Sequence, residues 1–444
     1  GWIGVSGKQL TFRVRPGGTV QGSLRVPGDK SISHRSIMLG SLAEGVTEVQ
    51  GFLEGEDSLN TLRCFRAMGV DIEGPANGRV RIQGVGLRGL KQPEGPLYVG
   101  NSGTSMRLMA GILAGQAFDT ELTGDASLSR RPMDRITRPL AEMGAEIITE
   151  SGGFPPLRIR GGRALKGIDY QLPMASAQVK SCVLLAGMYA EGETRVTEPA
   201  PTRDHTERML GGFGYPVRRE GATAILQGGG KLTGGSIDVP ADISSAAFWM
   251  VAAGIAEDAE LTLEHVGMNP TRTGVIEILR LMGADIELRN QHEVGGEPVA
   301  DVVVRSARLR GIAIPEDLVP LAIDEFPVIF VAAACAEGET VLTGAEELRV
   351  KESDRIQVMA DGLQALGIDA EPTPDGMRIR PGRFQAGTVD SHGDHRVAMA
   401  FAVAALRAEG DIEIRDCENV NTSFPGFVSL ARQAGLNIEE VGNE

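Results

Sequence analysis

The sequence repeats one unit of about 70 residues six times, and this repeat restricts the possible folds more than any other feature of the chain. Each copy contains a helix-like segment that ends in glycine and leads into a short β-like segment. The closing glycines recur at a nearly regular interval and are Gly69, Gly144, Gly214, Gly283, Gly367 and Gly435. Since glycine readily adopts the left-handed conformation that ends a helix, the pattern predicts six C-capped helices.

A second helix-like series, apolar and rich in alanine, alternates with the first. Its members end at small turns at residues 43–45, 113–115, 190–192, 256–258, 336–338 and 408–410. Residues 246–253 (AAFWMVAA) are apolar on all sides, which predicts a helix buried around its whole circumference. The two series together predict an α/β protein. An open solenoid is the alternative, but this repeat is longer than most solenoid repeats and the terminal units lack polar capping variants.

Length and composition argue against several classes of function. A chain of 444 residues allows two or three domains. With 44 basic against 59 acidic residues, the net charge of −15 argues against a broad surface for nucleic acid or membrane. The longest apolar runs, at 246–256 and 326–336, are well short of the ~20 residues that span a bilayer. Cys64, Cys182, Cys335 and Cys417 form no CxxC pair, so we expect reduced thiols and a cytoplasmic location.

The start of the chain, residues 1–28, contains basic residues and no acid, so a transit peptide is one interpretation of it. The basic residues are Lys8, Arg13, Arg15 and Arg25. However, the alternation of apolar and polar residues at 10–14 and the pair Gly17-Gly18 favour a strand followed by a hairpin turn.

Polar segments open the six apolar helices. They are PGDKSISHR (27–35), GNSGT (100–104), MASAQ (174–178), DISS (242–245), IDEFP (323–327) and DHR (394–396). Asp29, Asp242, Asp324 and Asp394 suit helix capping, and for any one segment capping alone is a sufficient explanation. Capping does not explain the neighbouring cations, which include Lys30, Arg35 and Arg396. Because a helix N-terminus already attracts anions, added cations there predict a site for phosphate or carboxylate groups.

Several familiar motifs are absent or incomplete. Residues 84–89 match GxGxxG, but Pro93 follows closely instead of a helix, so we reject a dinucleotide site. No Walker-type phosphate loop, serine-hydrolase elbow or metal-ligand spacing is present in the sequence. We therefore expect neither a cofactor nor a metal. His34 and His395 each adjoin a cation that disfavours protonation, and we interpret them as structural rather than catalytic residues.

These segments carry a resemblance to a known family. With RRPM (130–133), TRDHTE (202–207) and RVKESDR (349–355), they resemble 5-enolpyruvylshikimate-3-phosphate synthase along nearly the whole chain. The resemblance implies a two-domain inside-out α/β barrel of six βαβαββ units, three per domain. The first domain would span residues 27–240, and the second residues 1–26 plus 241–444. The implied reaction transfers the enolpyruvyl group of phosphoenolpyruvate to shikimate 3-phosphate and releases phosphate, in aromatic amino-acid biosynthesis.

The resemblance also implies roles for individual residues. Lys30 would contact both substrates and assist catalysis. The shikimate 3-phosphate ligands would be Lys30, Ser31, Arg35, Ser176, Ala177, Gln178, Arg203, Asp324 and Lys351. The phosphoenolpyruvate ligands would be Lys30, Gly103, Thr104, Arg131, Gln178, Arg355 and Arg396. Asp324 would accept the proton of the attacking hydroxyl, and Glu352, with a pKa raised by burial beside phosphate, would protonate the methylene carbon.

The chain departs from some family members at one cation. Thr422 occupies a position where they have lysine, so one anion contact is in doubt. Thr422 and the RDHTE loop are similar to the glyphosate-tolerant branch of the family, in which alanine can replace the residue that is Gly103 here. We expect room for glyphosate as an inhibitor. We also expect a monomer, without nucleic acid or membrane partners.

Three rival functions remain. UDP-N-acetylglucosamine enolpyruvyl transferase shares the implied fold and chemistry, but its loop cysteine has no counterpart in residues 124–129. RNA 3′-phosphate cyclase shares part of the repeat design and would need nucleic-acid contacts, which an acidic chain disfavours. A non-catalytic anion-binding relative would keep the arginines without needing Asp324 and Glu352.

Overall fold

The computed structural model describes residues 10–442 and divides the chain into two compact domains. The first domain comprises Gly28–Pro240 together with the hairpin tip Glu293–Glu297. The second comprises the chain up to Pro27, Ala241–His292 and the chain from Pro298 onward. The predicted second domain also includes residues 1–9, which lie outside the described residues. Each domain has its own core of buried apolar side chains.

Each repeat contributes an inner helix, which lies in the core of its domain, and an outer helix. The helices are α1 (Lys30–Leu42), α2 (Glu56–Ala67), α3 (Gly103–Leu113), α4 (Asp134–Glu142), α5 (Ala177–Gly187), α6 (His205–Gly212), α7 (Ile243–Ile255), α8 (Gly274–Leu281), α9 (Phe326–Ala334), α10 (Arg355–Ala365), α11 (His395–Ala404), α12 (Val420–Ser423) and α13 (Phe427–Ala434). The inner helices are α1, α3, α5, α7, α9 and α11, and the outer helices are α2, α4, α6, α8, α10 and α13. Short 3₁₀ segments lie at Leu128–Arg130, Glu316–Leu318, Ile323–Glu325, Glu346–Val350 and Ala405–Arg407.

The strands between these helices are short. They are β1 (Leu10–Arg15), β2 (Gln21–Leu24), β3 (Val46–Gln50), β4 (Asp71–Ala76), β5 (Arg79–Gln83), β6 (Leu97–Tyr98), β7 (Thr120–Thr123), β8 (Ile147–Glu150), β9 (Phe154–Ile159), β10 (Asp169–Gln171), β11 (Glu193–Thr197), β12 (Arg218–Glu220), β13 (Thr223–Gln227), β14 (Ser236–Asp238), β15 (Glu260–Gly267), β16 (Asp285–Val294), β17 (Glu297–Arg305), β18 (Thr340–Leu342), β19 (Asp369–Thr373), β20 (Gly376–Arg380), β21 (Gly387–Asp390), β22 (Ile412–Arg415) and β23 (Asn437–Gly442).

Each repeat builds one sheet, and the sheets share one strand order. In the second repeat the order is β6-β7-β9-β8, with β6 parallel to β7 and β9 antiparallel to both β7 and β8. The inner helix α3 connects the two parallel strands, so β6, α3 and β7 form a βαβ unit. Within residues 10–442, the fifth repeat has only three strands, β18-β20-β19, and a parallel bridge between Ala313 and Val341 lies beside them.

Three sheets are completed by strands from distant parts of the chain. β14 pairs in parallel with β3, β2 pairs in parallel with β15, and β1 lies between β22 and β23. The predicted hairpin at Gly17-Gly18 is therefore wrong, because β1 and β2 belong to different sheets. The φ angles of 84° and 117° at these glycines redirect the chain between the sheets, and a Cβ at Gly18 would lie 2.1 Å from the carbonyl oxygen of Gly435.

The inner helices lie in the core of each domain, as the sequence predicts. Every residue of α7 and of α9 is buried. The outer helix α4, in contrast, buries chiefly Ile136, Pro139 and Leu140 on one side. Strands such as β5 alternate buried and exposed residues, so the sheets cover the helices and present one face to solvent. Among the described helices, none combines the length and apolar character that crossing a bilayer requires.

The six outer helices that carry the repeat signal, α2, α4, α6, α8, α10 and α13, end as predicted. The glycine that closes each of them has a positive φ, between 83° and 110°. Side chains other than glycine are strained in this region. The glycine period was therefore a reliable guide to where each outer helix stops.

Candidate active site

The residues with predicted roles form one group in each domain. The first-domain cluster consists of Lys30, Ser31, Arg35, Gly103, Thr104, Arg131, Ser176, Ala177, Gln178 and Arg203. These residues lie at the starts of α1, α3 and α5 or in the loops before α4 and α6. The second-domain cluster consists of Asp324, Lys351, Glu352, Arg355 and Arg396, at the starts of α9, α10 and α11 or in the loop before α10.

Side-chain caps fix the starts of the three inner helices in the first domain. Asp29 accepts from the N–H of Ile32 at 2.9 Å, Ser102 from that of Ser105 at 3.0 Å, and Ser176 from that of Val179 at 3.2 Å. Each cap leaves further N–H groups of its helix available, and the helix dipole adds positive potential there. Capping at these termini is therefore compatible with anion binding.

Lys30 opens α1 and is held by a carboxylate of the next helix. Its Nζ lies 2.6 Å from Oδ2 of Asp57 in α2, and its side chain is 55% exposed. An exposed ion pair of this kind contributes little to stability. The pairing instead orients an ammonium that retains donors for a ligand.

Arg35 is buried one turn further along α1. Its Nε donates to Oγ1 of Thr206 at 2.8 Å and its Nη1 to the carbonyl oxygen of Ser31 at 3.0 Å. Burial lowers the pKa of Arg35 to about 10, so the guanidinium remains charged at neutral pH. Arg35 thus connects α1 to the start of α6, next to the loop that carries Arg203.

The start of α3 gathers two arginines around Gly103. Arg131 donates from Nη2 to Oδ1 of Asn101 at 3.3 Å. A Cβ at Gly103 would lie 2.5 Å from Nη1 of Arg107 and 3.3 Å from Nη1 of Arg131, so glycine leaves room for both guanidinium groups. Burial, followed by the positive charge of Arg131, lowers the pKa of Arg107. Two neighbouring cations that repel each other favour an anionic ligand between them.

Gln178 links the starts of α5 and α3. Its Oε1 accepts from Nη1 of Arg107 at 2.8 Å and its Nε2 donates to Oγ1 of Thr104 at 2.8 Å. These two contacts fix the orientation of the amide. The structure thereby brings together three of the predicted segments, GNSGT, RRPM and MASAQ.

In the second domain, Asp324 faces cations instead of capping α9. Its Oδ1 lies 3.6 Å from Nζ of Lys351 and 3.8 Å from Nη1 of Arg355. The prediction of a cap is wrong, because residues Ile323–Glu325 form a 3₁₀ turn and α9 begins only at Phe326. Asp29, Asp242 and Asp394 do cap their helices, as predicted. Only 19% of the Asp324 side chain is exposed.

Arg355 is buried among carboxylates. Its Nε lies 2.8 Å from Oδ2 of Asp394, and its Nη2 lies 2.5 Å from Oε2 of Glu352. Burial alone would raise the pKa of Asp394, but the bonds from Arg355 and Ser353 outweigh it and lower the pKa. Arg355 therefore holds the loop of residues 351–354 against the start of α11.

The environment of Glu352 differs from the buried one that was expected. Its side chain is 54% exposed, so the expected burial is not found. Glu352 is instead positioned at the surface of the second-domain cluster by Arg355.

A buried network lies behind Arg396. Arg272 donates from Nη2 to Oδ1 of Asp242 at 2.6 Å and to Oγ of Ser244 at 3.1 Å. Ser244 donates in turn to Oε2 of the buried Glu325 at 3.0 Å. Burial alone would lower the pKa of Arg396, but nearby carboxylates, led by Asp324 and Glu325, raise it. The pKa of Glu325 itself is raised by burial and by the charge of Asp324.

The two histidines at helix starts are poor acids and bases at neutral pH. Burial, followed by the charges of Lys30 and Arg35, lowers the pKa of His34 to about 3. Its Nδ1 lies 2.8 Å from Oγ1 of Thr61 in α2 and 3.2 Å from Oγ of Ser105 in α3. Burial and the charge of Arg396 lower the pKa of His395 in the same way. Both histidines therefore act as neutral structural groups.

Three further residues near the site, Asp57, Arg107 and Glu325, were not predicted from the sequence. Arg107 had a usable signal, because it is a cation near the start of an apolar helix, like Lys30 and Arg35. Glu325 stands in the quoted segment IDEFP, but only the structure shows that it is buried. Nothing in the sequence around Asp57 marks it, since its importance depends on the packing of α1 against α2.

Metal ligands and thiols are the other groups that could carry chemistry. Within residues 10–442, no group of histidine, cysteine, aspartate or glutamate side chains is arranged to hold a metal ion. The four cysteines are free, and burial raises the pKa of each to about 12. Such thiols are unreactive at neutral pH.

Comparisons with known proteins find relatives along almost the whole chain. A family model described as EPSP synthase (3-phosphoshikimate 1-carboxyvinyltransferase) matches residues 14–430. The 3-phosphoshikimate 1-carboxyvinyltransferases of Alkalilimnicola ehrlichii and Methylococcus capsulatus are 71% and 70% identical, covering 96% and 97% of this chain and 96% and 99% of their own. A solved EPSP synthase structure from Acinetobacter baumannii has a TM-score of 0.96 at 61% identity, over 97% of this chain and 100% of that one. The matched range includes both clusters.

Proposed function

The chain belongs to the EPSP synthase family, and we propose that its two charged clusters carry the family's reaction. The protein catalyses enolpyruvyl transfer from phosphoenolpyruvate to shikimate 3-phosphate, with release of phosphate, in aromatic amino-acid biosynthesis. Both substrates are anions. The observation that supports the assignment of residues is the concentration of cations at capped helix starts, in a chain whose net charge is −15.

The first-domain cluster offers two kinds of anion contact. Lys30, Arg35 and Arg203, with Ser31, Ser176 and Ala177, would bind shikimate 3-phosphate. Arg131, with the backbone at Gly103 and Thr104, would bind phosphoenolpyruvate. Gln178, held between Arg107 and Thr104, would contact both substrates. Charge-assisted bonds to phosphate and carboxylate are about twice as strong as neutral hydrogen bonds.

The second-domain cluster supplies cations and carboxylates. Arg355 and Arg396 would bind phosphoenolpyruvate, and Lys351 would bind shikimate 3-phosphate. The surrounding cations favour an ionised Asp324, which suits a general base. Glu352 is exposed and paired with Arg355, so a bound substrate could reach it.

The reaction would proceed by addition and then elimination. Asp324 would accept the proton of the 5-hydroxyl while the hydroxyl oxygen bonds to C2 of phosphoenolpyruvate, and Glu352 would deliver a proton to C3. The tetrahedral intermediate then loses a proton from C3 and the phosphate from C2, which restores the double bond. One carboxylate must be basic while the other is protonated, and their different surroundings support that division of roles.

Phosphate release tests the function directly. We expect release when the protein is mixed with phosphoenolpyruvate and shikimate 3-phosphate, and none when UDP-N-acetylglucosamine replaces the shikimate. Release with phosphoenolpyruvate and UDP-N-acetylglucosamine, but not with shikimate 3-phosphate, would favour the rival transferase. Absence of release with either acceptor, in protein that binds both substrates, would favour a non-catalytic relative.

Three further properties remain part of the proposal. Gly103 leaves space beside Arg107 and Arg131, which supports binding of glyphosate alongside shikimate 3-phosphate. An inhibition constant far above the Michaelis constant for phosphoenolpyruvate would contradict this. The free cysteines support a cytoplasmic location, and self-contained cores in both domains support a monomer.

A further inference from the structure

A lysine with no exposed surface is the fourth residue of α5. Nζ of Lys180 is 2.9 Å from Oε1 of Glu198 and 3.0 Å from Oε2 of Glu207, and the exposed fraction of its side chain is 0%. Burying an ammonium and two carboxylates is costly even when they pair. Apolar side chains of similar volume would usually give equal or greater stability there. The ion pairs therefore call for an explanation other than stability.

The two carboxylates stand at opposite ends of one loop. Glu198 follows the last residue of β11, and Glu207 lies in the first turn of α6. Lys180 thus ties both ends of the β11–α6 loop to α5. Arg219, whose side chain is partly exposed, reaches the same carboxylates at 2.6 Å from Oε2 of Glu198 and 3.3 Å from Oε2 of Glu207.

Further contacts fix this loop and the start of α6. Thr202 donates its hydroxyl to Oε1 of Glu198. Thr206 donates from Oγ1 to Oγ of Ser181, the residue after Lys180, at 2.7 Å, and accepts from Nε of Arg35 at 2.8 Å. The loop is therefore attached to α5 at two successive residues and to α1 at Arg35.

Arg203 lies between these attachment points. It has partly exposed surface, and it follows Thr202 directly in the chain. The start of α5 carries Ser176, Ala177 and Gln178, so the helix held by Lys180 and the loop held by Lys180 both belong to the first-domain cluster. The distance between Arg203 and the start of α5 thus depends on the buried lysine.

We propose that Lys180 is a positioning residue, which fixes the β11–α6 loop so that Arg203 meets an anionic group of shikimate 3-phosphate. The inference rests on the proposed function of the first-domain cluster. Lys180 itself touches no substrate. Its ammonium, held inside the domain, favours one position of the loop, because moving either carboxylate away would leave a buried charge without its partner.

The first test is Lys180→Met in the full chain. We expect the Michaelis constant for shikimate 3-phosphate to rise about tenfold while that for phosphoenolpyruvate changes less than about twofold. Arg195→Gln is the matched control, since Arg195 forms surface ion pairs on the neighbouring β11 and its loss should leave both constants unchanged. Equal increases in both constants would overturn the proposal.

A triple variant separates positioning from folding. Lys180→Met with Glu198→Gln and Glu207→Gln removes all three buried charges, and Arg219 can turn its partly exposed guanidinium to solvent. We expect the thermal midpoint of the triple variant to approach that of the wild type while its Michaelis constant for shikimate 3-phosphate stays high. Recovery of both the midpoint and the constant would show that Lys180 serves stability alone.

A double-mutant cycle with Arg203→Gln identifies the route of the effect. If Lys180 acts through Arg203, Lys180→Met should raise the constant no further in the Arg203→Gln background. Full additivity would refute the connection. Phosphate release by the wild-type protein with both substrates tests the proposed function, whatever the role of Lys180. The Lys180 variants test only the positioning role, so the two failures can be told apart.

Discussion

At the scale of single residues, the two proposed catalytic carboxylates of the second-domain cluster, Asp324 and Glu352, have different surroundings. Asp324 has one oxygen close to two cations and little exposed surface, whereas Glu352 contacts Arg355 and is mostly exposed. Two cations near Asp324 stabilise its ionised form, and the exposure of Glu352 leaves its carboxylate accessible to a substrate. The geometry thus supports a base at Asp324 and a proton carrier at Glu352.

For Glu352→Gln, we expect a fall in kcat of about 100-fold or more, because proton transfer by a positioned group typically contributes that much. Steady-state phosphate release should show Michaelis constants that change little. The control is Glu346→Gln, which removes an exposed carboxylate from the preceding 3₁₀ segment. Unchanged turnover in Glu352→Gln would make Glu352 a bystander and support a purely binding role for the cluster.

For Arg131→Ala, we expect a larger rise in the Michaelis constant for phosphoenolpyruvate than for shikimate 3-phosphate. A lost charge-assisted bond is worth roughly 1.5 to 3 kcal/mol, or about 10- to 150-fold. Initial-rate measurements with each substrate varied in turn give both constants. Arg130→Ala removes the adjacent exposed arginine and is the matched control. Equal rises for the two substrates would remove Arg131 from the phosphoenolpyruvate site.

At the scale of elements, the sequence predicted helices better than strands and networks. The glycine period located the ends of the outer helices, because a left-handed C-cap is a local requirement. Asp29, Asp242 and Asp394 cap their helices as expected, but Asp324 does not, since the 3₁₀ turn that displaces it depends on packing. The burial of Lys180 was equally hidden, because a charged residue in a helix gives no sequence signal of its partners.

The helix-start histidines should make stability depend on pH. The pKa of His34 is about 3 in the folded protein against 6.5 ordinarily, so the unfolded chain binds a proton at pH values where the folded protein does not. This depressed pKa contributes stability that is fully present above pH 6.5 and is lost as pH falls towards 3. His395 should change the stability in the same direction, because its pKa is also lowered. We expect its contribution to be smaller, because its side chain keeps partial contact with solvent.

Urea unfolding between pH 7.5 and 5.5 measures this effect. We expect the wild-type midpoint to fall with pH, and His34→Gln to be less stable at pH 7.5 but to depend less on pH. The slope for one proton approaches about 1.4 kcal/mol per pH unit. His392→Gln, at an exposed position before α11, should keep the wild-type slope. An identical slope in His34→Gln would show that the imidazole is not held neutral.

At the scale of the whole molecule, the predicted inside-out α/β fold is confirmed by the solved relative at a TM-score of 0.96. The six repeats correspond to six sheets, but the repeat pattern did not reveal that β1, β2 and β14 complete sheets whose other strands are far away in the chain. Periodicity describes local elements, whereas strand exchange between repeats depends on where a distant segment meets a sheet edge. The mistaken hairpin at Gly17-Gly18 has this origin.

The exchange of β1 makes the second domain depend on a strand from the opposite end of the sequence. Phe12 in β1 is fully buried, pairs with Ile414 in β22, and stacks on Phe427 in α13 with ring centroids 6.0 Å apart. Trp249 in α7 packs on the same Phe427 ring, with centroids 5.8 Å apart. One aromatic group thus joins both ends of the described chain to an inner helix.

Phe12→Ala should therefore destabilise the second domain by about 3 to 5 kcal/mol, as expected for a large side chain lost from a core. Trp249 fluorescence reports unfolding in this domain, and a Trp2→Phe background makes it the sole tryptophan. Arg13→Ala is the matched control, since Arg13 lies on the same strand with its side chain partly exposed beside Glu413. Its urea midpoint should equal that of the wild type. If Phe12→Ala also kept the wild-type midpoint, β1 would be a covering strand rather than a part of the core, and the second domain would be stable without its distant strand.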